Sequence, residues 1–329
     1  MIMVQSSNMR HMSIICFGMM IALVYSCNMK PCFEVVVEHV KLFDSIPSGS
    51  GLIAEGDSVF IIGDDATSLY QLSLSTNAFV SIPLINITQL QYRIKKPDKH
   101  DLESLSFLNL NGKKYIASFG SGSVSPQRDS LLLVSADDFK QQQWISLGNF
   151  YTRLRKISVK NELNIEGAVS TSENVYLFNR SGSEVYELSL KLFEAIMQSK
   201  INLMDMNIKK YQFDLPASEG VQSALSGGCL FRNDAILFCA SAENLPNVYD
   251  DGDIQGSYVG IISINKKGLA LKELTGIKDK SGAMLKDKLE SIDIAGHYSN
   301  GDVRAFAIAD NDDGKSKLFE LRIKYTSIK

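Results

Sequence analysis

An all-β chain built from one repeated unit is what the sequence predicts, and three observations predict it. Strand-forming runs rich in Val, Ile, Leu, Phe and Tyr recur through the 329 residues, helical periodicity is scarce, and one short motif returns five times. Set "SGSGLIAEGDSVFIIGDDATSLYQLSL" beside "LNIEGAVSTSENVYLFNRSGSEVYELSL": Ser50-Gly51 falls on Glu166-Gly167, "VFII" on "VYLF", and "LYQLSL" on "VYELSL". Further copies lead with Glu103-Ser104, Ser226-Gly227 and Glu290-Ser291, a period of roughly 53 to 64 residues.

Each copy reads as strand, turn, strand, loop, strand. The turns "AEGDS", "LNGKK", "FRNDA" and "YSNGD" carry Gly, Asn and Asp, which tolerate positive φ. Runs between the copies ("FVSIPLI", "QWISLGNF", "KKYQFDL") supply a fourth strand. A four-stranded antiparallel unit cannot bury both faces alone, so the copies must stack around an axis as a five-bladed β-propeller. A sixth blade is expected only if a divergent copy hides in the long inter-copy segments.

The ends of the chain complete the ring. "FEVVVEHVKLF", Phe33 to Phe43, precedes the first copy with no blade of its own, and the last copy stops after "LFELRIKY", one strand short. Pairing the two closes the last blade and leaves no open edge. A row of β-sandwiches accounts neither for the period nor for the mismatched ends. One segment departs from the β pattern: "LSLKLFEAIMQSKINLMDM" places Leu192, Phe193, Ile196, Met197 and Met204 near helical spacing, which predicts a short amphipathic helix packed outside the barrel.

Residues 1–26 read as a separate object. Arg10 and His11 precede an apolar run from Met12 to Val24, about 13 residues, the length of a signal-peptide core and too short for a membrane span. Val24-Tyr25-Ser26-Cys27 resembles a bacterial lipoprotein box in which Cys27 takes the lipid. That reading makes residues 27–329 one propeller domain, held at a bacterial membrane in the cell envelope, on its periplasmic or surface-facing side. An ordinary secretory signal is the alternative. The net charge of −3, with no basic stripe, argues against a nucleic-acid surface. Cys229 and Cys239 flank the hairpin-like run "LFRNDAILF" and read as two buried thiols, a bridge between them being the alternative.

The first strand of each blade lines the axial channel, where neighbouring backbones approach closely. Small residues there (Gly51, Ser104, Gly167, Gly227, Ser291) suit that crowding. Glu103, Glu166 and Glu290 hold equivalent positions, so three carboxylates converge at one mouth of the channel. Crowded like charges need bound protons, intervening Arg or Lys, or a cation. Loops between second and third strands open at the same end and add Asp64, Asp65, Arg128, Arg180, Glu243 and Asp310. An acidic mouth that takes a small ligand or a protein is therefore expected. Its oxygen donors suit calcium; a purely structural network of Glu–Arg pairs is the competing reading.

Other chemistry finds little support. No Gly-x-Ser-x-Gly elbow, Walker loop or dinucleotide fingerprint is present, and His100 in "KKPDKHDLES" reads as a surface-loop histidine beside Asp98 and Asp101. "DNDDGKSKLFE" fails as an EF-hand because Gly314 stands fifth, where an oxygen ligand is needed.

The leads "LES", "IEG" and "LES", with "LFCASAENLPNVYDDGDIQGSYVGIISI", resemble the phytase-like (esterase-like) propellers of exported bacterial proteins over most of residues 45–325. The resemblance implies a propeller, extracytoplasmic placement, and an acidic mouth that in calcium-dependent phytases holds metal and phosphate. By position Glu103, Glu166, Glu243 and Glu290 match the group's recurring glutamates, with Glu103, Glu166 and Glu290 as the implied metal set. Ser50 and Ser226 stand where further glutamates are expected, and no dense Lys/Arg cluster offers itself to phosphate. A calcium-dependent phosphoesterase is thus the alternative to a binding propeller.

Overall fold

Strands that are apolar on both faces need a neighbour on each side, and "SVFIIG" is such a strand: Val59 and Ile61 pack toward one neighbour, Phe60 and Ile62 toward another. The architecture is that of a computed structural model describing residues 32–85, 93–202, 205–244, 252–310 and 314–326. The signal-like segment and Cys27 lie outside the described residues, as do Met204 and most of the "YDDGD" loop. Strand β1 (Cys32–Phe43) comes first. Blade 1 follows with β2 (Gly49–Glu55), β3 (Ser58–Gly63), β4 (Ser68–Ser73) and β5 (Phe79–Pro83). Blade 2 has β6 (Ser106–Leu110), β7 (Lys113–Phe119), β8 (Ser130–Ser135) and β9 (Gln142–Ser146). Blade 3 has β10 (Ile165–Ser170), β11 (Asn174–Asn179), β12 (Glu184–Ser189) and β13 (Lys209–Gln212).

Blade 4 carries a two-residue extra strand, β14 (Ala217–Ser218), before β15 (Val221–Arg232), β16 (Ala235–Asn244), β17 (Asp253–Asn265) and β18 (Gly268–Gly276). Blade 5 comprises β19 (Leu289–His297), β20 (Val303–Asp310) and β21 (Ser316–Thr326), and its order β1-β21-β20-β19 shows the N-terminal strand completing it. Blades 1 to 4 are antiparallel in chain order, and the described residues form five blades and no sixth sheet. The blades lie in one compact unit, Phe33–Lys324; a second unit, residues 1–32 with 325–329, is described only at Cys32, Tyr325 and Thr326.

The core is a set of wedges between blades. Blade 1 meets blade 5 through Leu52, Ile61, Tyr70, Phe306 and Ile308, and meets blade 2 through Ile53, Ile62, Leu105 and Ile116. Blades 3 and 4 meet through Tyr176, Phe178, Leu225, Ile236 and Phe238. At the axis the ring closes: Ser291 Oγ donates to Leu52 O at 3.3 Å, and Ala54 N to Asp293 Oδ2 at 2.8 Å.

Two helices fill the wedge between blades 2 and 3. Helix α1 (Gly148–Ile157) replaces the end of the strand expected in "QWISLGNF": β9 stops at Ser146, and Phe150, Tyr151 and Leu154 then bury one helical face. Its last-turn Arg155 and Lys156 complement the negative C-terminal end of the helix dipole. Helix α2 (Leu190–Met197) is the expected amphipathic helix, started by Ser189, whose Oγ accepts from Leu192 N at 3.2 Å. Its Phe193 ring lies 5.6 Å from Phe119 and 6.2 Å from Phe150. Cys229 and Cys239 are free and buried.

Candidate functional site at the channel mouth

A β-bulge opens every inner strand, and it explains the repeated lead. Pairing slips by one residue between Gly49 and Gly51, between Ile165 and Gly167, between Leu289 and Ser291, and between Leu225 and Gly228. In blade 2 the Leu102–Gly120 bridge and the Ser106–Ala117 pair are likewise one residue out of step. A bulge re-aims the extra side chain, so Ser50, Glu103, Glu166, Ser226 and Glu290 sit at matching places around the mouth. The residue after each is small because the next blade leaves no room. A Cβ on Gly51 meets Ser104 C at 2.7 Å, one on Gly167 meets Ser226 O at 2.8 Å, and one on Gly227 meets Ser291 Cα at 2.7 Å.

On one side of the mouth Glu166, Glu243 and Glu290 enclose two cations. Arg180, at the end of β11, places Nη1 3.2 Å from Glu166 Oε2 and Nη2 2.9 Å from Glu243 Oε2. Lys288 Nζ lies 3.1 Å from Glu290 Oε1 and 3.6 Å from Glu243 Oε2. Asn164 Nδ2 donates to Glu166 Oε1 at 2.8 Å, and Arg180 Nη1 to Ser226 Oγ at 3.0 Å. Burial, reinforced by Glu166, pushes the Glu290 carboxyl up to about 8 against the pull of Lys288. The Glu243 carboxyl goes the other way, held down by Lys288 and Arg180 despite its burial.

On the other side Asp64, Asp101 and Glu103 bring carboxylate oxygens all within 4.8 Å of one another. Lys99 Nζ pairs with Asp64 Oδ2 and lies 2.6 Å from Asp101 Oδ1, and Arg128 Nη1 lies 2.6 Å from Asp101 Oδ2. Burial, then Asp101 and Asp64, raise the Glu103 carboxyl well above the usual range, and Glu290 adds to this from across the mouth. Glu103 is enclosed by protein yet keeps an accessible surface, and no described side chain bonds its carboxyl. Asp64 Oδ1 is buried without a hydrogen-bond partner among the described residues. Beside this group Arg93 Nε lies 2.6 Å from Asp65 Oδ2, Arg93 Nη2 donates to Ser48 Oγ at 2.9 Å, and Asp310 adds to the field on Arg93.

The structure thus brings Asp64, Glu103, Arg128, Arg180, Glu166, Glu243, Glu290 and Asp310 to one end of the ring, and makes that end mixed in charge rather than simply acidic. The implied metal set is divided: Glu166 and Glu290 stand with Arg180 and Lys288, while Glu103 stands with Asp64 and Asp101. Sequence reading passed over Lys99 and Lys288. For Lys288 a signal existed, because the residue two before four of the five leads (Ser48, Asp101, Asn164, Lys288; Ala224 is the exception) is polar and reaches the mouth, whereas Lys99 lies outside that pattern. His100 is half-buried, its ring centroid 4.2 Å from that of Trp144, and burial draws its pKa down.

A family model for a "Family of unknown function (DUF6929)" matches residues 45–323, from just before β2 into the last strand, β21. The chain belongs to DUF6929. No curated protein sequence matches it. Among solved structures this DUF6929 chain is similar to the glutaminyl cyclase of Myxococcus xanthus, at 13% identity and TM-score 0.48, covering 90% of this chain and 98% of that one. It is also similar to the PQQ-bound aldose sugar dehydrogenase of Streptomyces coelicolor, at 9% identity and TM-score 0.42, covering 90% and 100% respectively.

Proposed function

We propose that the protein is an exported propeller, lipid-anchored through Cys27 in a bacterial cell envelope, that binds a small ligand or a protein at the charged mouth. The observation that carries this reading is the pair formed by Glu103 and Asp64. An enclosed carboxyl bonded to no described side chain and a buried, unpartnered carboxylate oxygen stand together where blades 1 and 2 open onto the channel. Buried polar atoms left unpaired cost about 1–3 kcal/mol each, and a ligand bringing donors or positive charge recovers that cost.

Calcium suits this group by donor type, since Asp64, Asp101 and Glu103 offer only oxygen. The Lys99 ammonium already supplies one positive charge between Asp64 and Asp101. The phosphoesterase alternative is the weaker reading. Arg180, Lys288, Lys99 and Arg128 are each committed to carboxylates, with side-chain exposures of 9%, 17%, 11% and 15%, and so do not present themselves to phosphate.

Thermal melts of the intact protein with calcium, and with a panel of amines and polyols, test the proposal. A ligand at 100-fold its Kd stabilises by about 2.7 kcal/mol, and Glu103→Gln with Asp64→Asn should abolish the shift. Melts that no solute moves leave the network a structural role only. Phosphate release from a generic phosphate ester, lost in Glu103→Gln, replaces binding with hydrolysis.

A further inference from the structure

We infer that the anchored propeller stands with its charged mouth turned away from the bilayer, an inference that rests on the lipid-anchor reading of Cys27. The argument turns on the direction of β1, the strand that follows the anchor. Chain direction within blade 5 is set by ion pairs at both ends of the β1–β21 ladder. Asp44 Oδ1 lies 2.8 Å from Lys315 Nζ, where β21 begins, and Glu34 Oε2 lies 3.0 Å from Lys324 Nζ, where β21 ends. The beginning of β21 is the mouth end: β20 finishes there at Asp310, and Gly49 N at the head of β2 donates to Ser316 Oγ at 2.8 Å. Phe33 therefore lies at the face opposite the mouth, and Phe43 at the mouth.

Reach then decides the orientation. Fully extended, the stretch from Cys27 to Phe33 spans at most about 21 Å. From Phe33 to Phe43, β1 itself runs about 33 Å. A tether shorter than the strand cannot fold back far enough to lay the mouth on the bilayer from which Cys27 hangs. The face apposed to the membrane is instead the one carrying the turns after each inner strand, such as Glu55–Ser58, Leu110–Lys113 and Arg232–Ala235. The occupant of the mouth comes from the aqueous side, as a solute or a soluble macromolecule; lipid headgroups of the anchoring membrane do not reach it.

The test uses the lipidated full-length protein in a Cys32→Ser background, reconstituted in vesicles whose headgroups carry a quencher, with Cys229 and Cys239 shielded by burial. A fluorophore is placed either on Ser172→Cys, in the exposed turn after β10, or on Gln127→Cys, exposed in the mouth loop after β7. The expected result is loss of fluorescence at position 172 and none at position 127. Equal quenching at both positions, or stronger quenching at 127, overturns the orientation. Separately, an intact chain that takes up no labelled fatty acid, or a Cys27→Ser chain that still fractionates with membranes, defeats the anchor reading, whatever the quenching pattern.

Discussion

The guanidinium of Arg180 joins two blades, lying 3.2 Å from Glu166 of blade 3 and 2.9 Å from Glu243 of blade 4. All three side chains are nearly buried, at 9%, 5% and 4% exposure. Removing the cation leaves Glu166 without an ion-pair partner and Glu243 with Lys288 alone, and breaking a buried pair costs about 3–5 kcal/mol. Arg180→Leu should lower stability to urea by that amount, and Glu166→Gln with Glu243→Gln in the same chain should recover part of the loss. A single variant as stable as the parent contradicts the network as drawn.

Proton release at the mouth should make the protein weaker in alkali. Glu290 has a folded pKa of about 8 against an ordinary value of 4.5. The folded state therefore holds the proton more tightly than the unfolded chain does. Its contribution is complete below about pH 4.5 and is lost as pH climbs to about 8, with a slope of at most about 1.4 kcal/mol per pH unit. Asp293, raised to about 6 from 3.8 by burial, adds to the lower part of the same window. Unfolding free energies measured from pH 5 to pH 9 should fall, and Glu290→Gln should flatten the upper half of that fall.

Crowding at the axis predicts which glycines are irreplaceable. Gly227→Ala drives a Cβ to 2.7 Å from Glu290 O and from Ser291 Cα, where backbone must give way, and overpacking of this kind costs about 1–3 kcal/mol. Gly148→Ala, whose Cβ meets only Ser146 Oγ at 3.7 Å in the first turn of α1, should be neutral or slightly stabilising. Equal melting losses for the two variants remove crowding as the reason for small residues at the axis.

Closure by β1 predicts that the N-terminal strand is indispensable. Besides its ladder with β21, β1 is tied by Glu38 Oε1 to Arg322 Nε at 2.5 Å. Deleting residues through Phe43 leaves β21 as an unpaired edge and uncovers Ile323 and Leu321 on a strand now lacking its neighbour. The truncated chain should aggregate or lose its cooperative melt. A soluble, cooperatively folding truncation argues against strand closure as the fastening of the ring.

Much of the architecture is legible in the sequence because its causes are local and recur. Two-residue alternation, turn residues at fixed offsets and a small residue at each axial position are imposed on every blade alike, so alignment of the chain with itself reveals them. Helix α1 escaped because its buried face, Phe150, Tyr151 and Leu154, is short and aromatic, and it follows directly on the strand-like "QWIS".

The sequence by itself determined the propeller, its closing strand and the ring of glutamates. The tertiary structure alone decided what those glutamates do. A carboxyl's charge state depends on which cation the packing places beside it: Lys99 reaches Asp64 of another blade, and Lys288 reaches Glu243. Coulomb energy depends on distance through the fold and on burial, and neither is written in the spacing of residues along the chain.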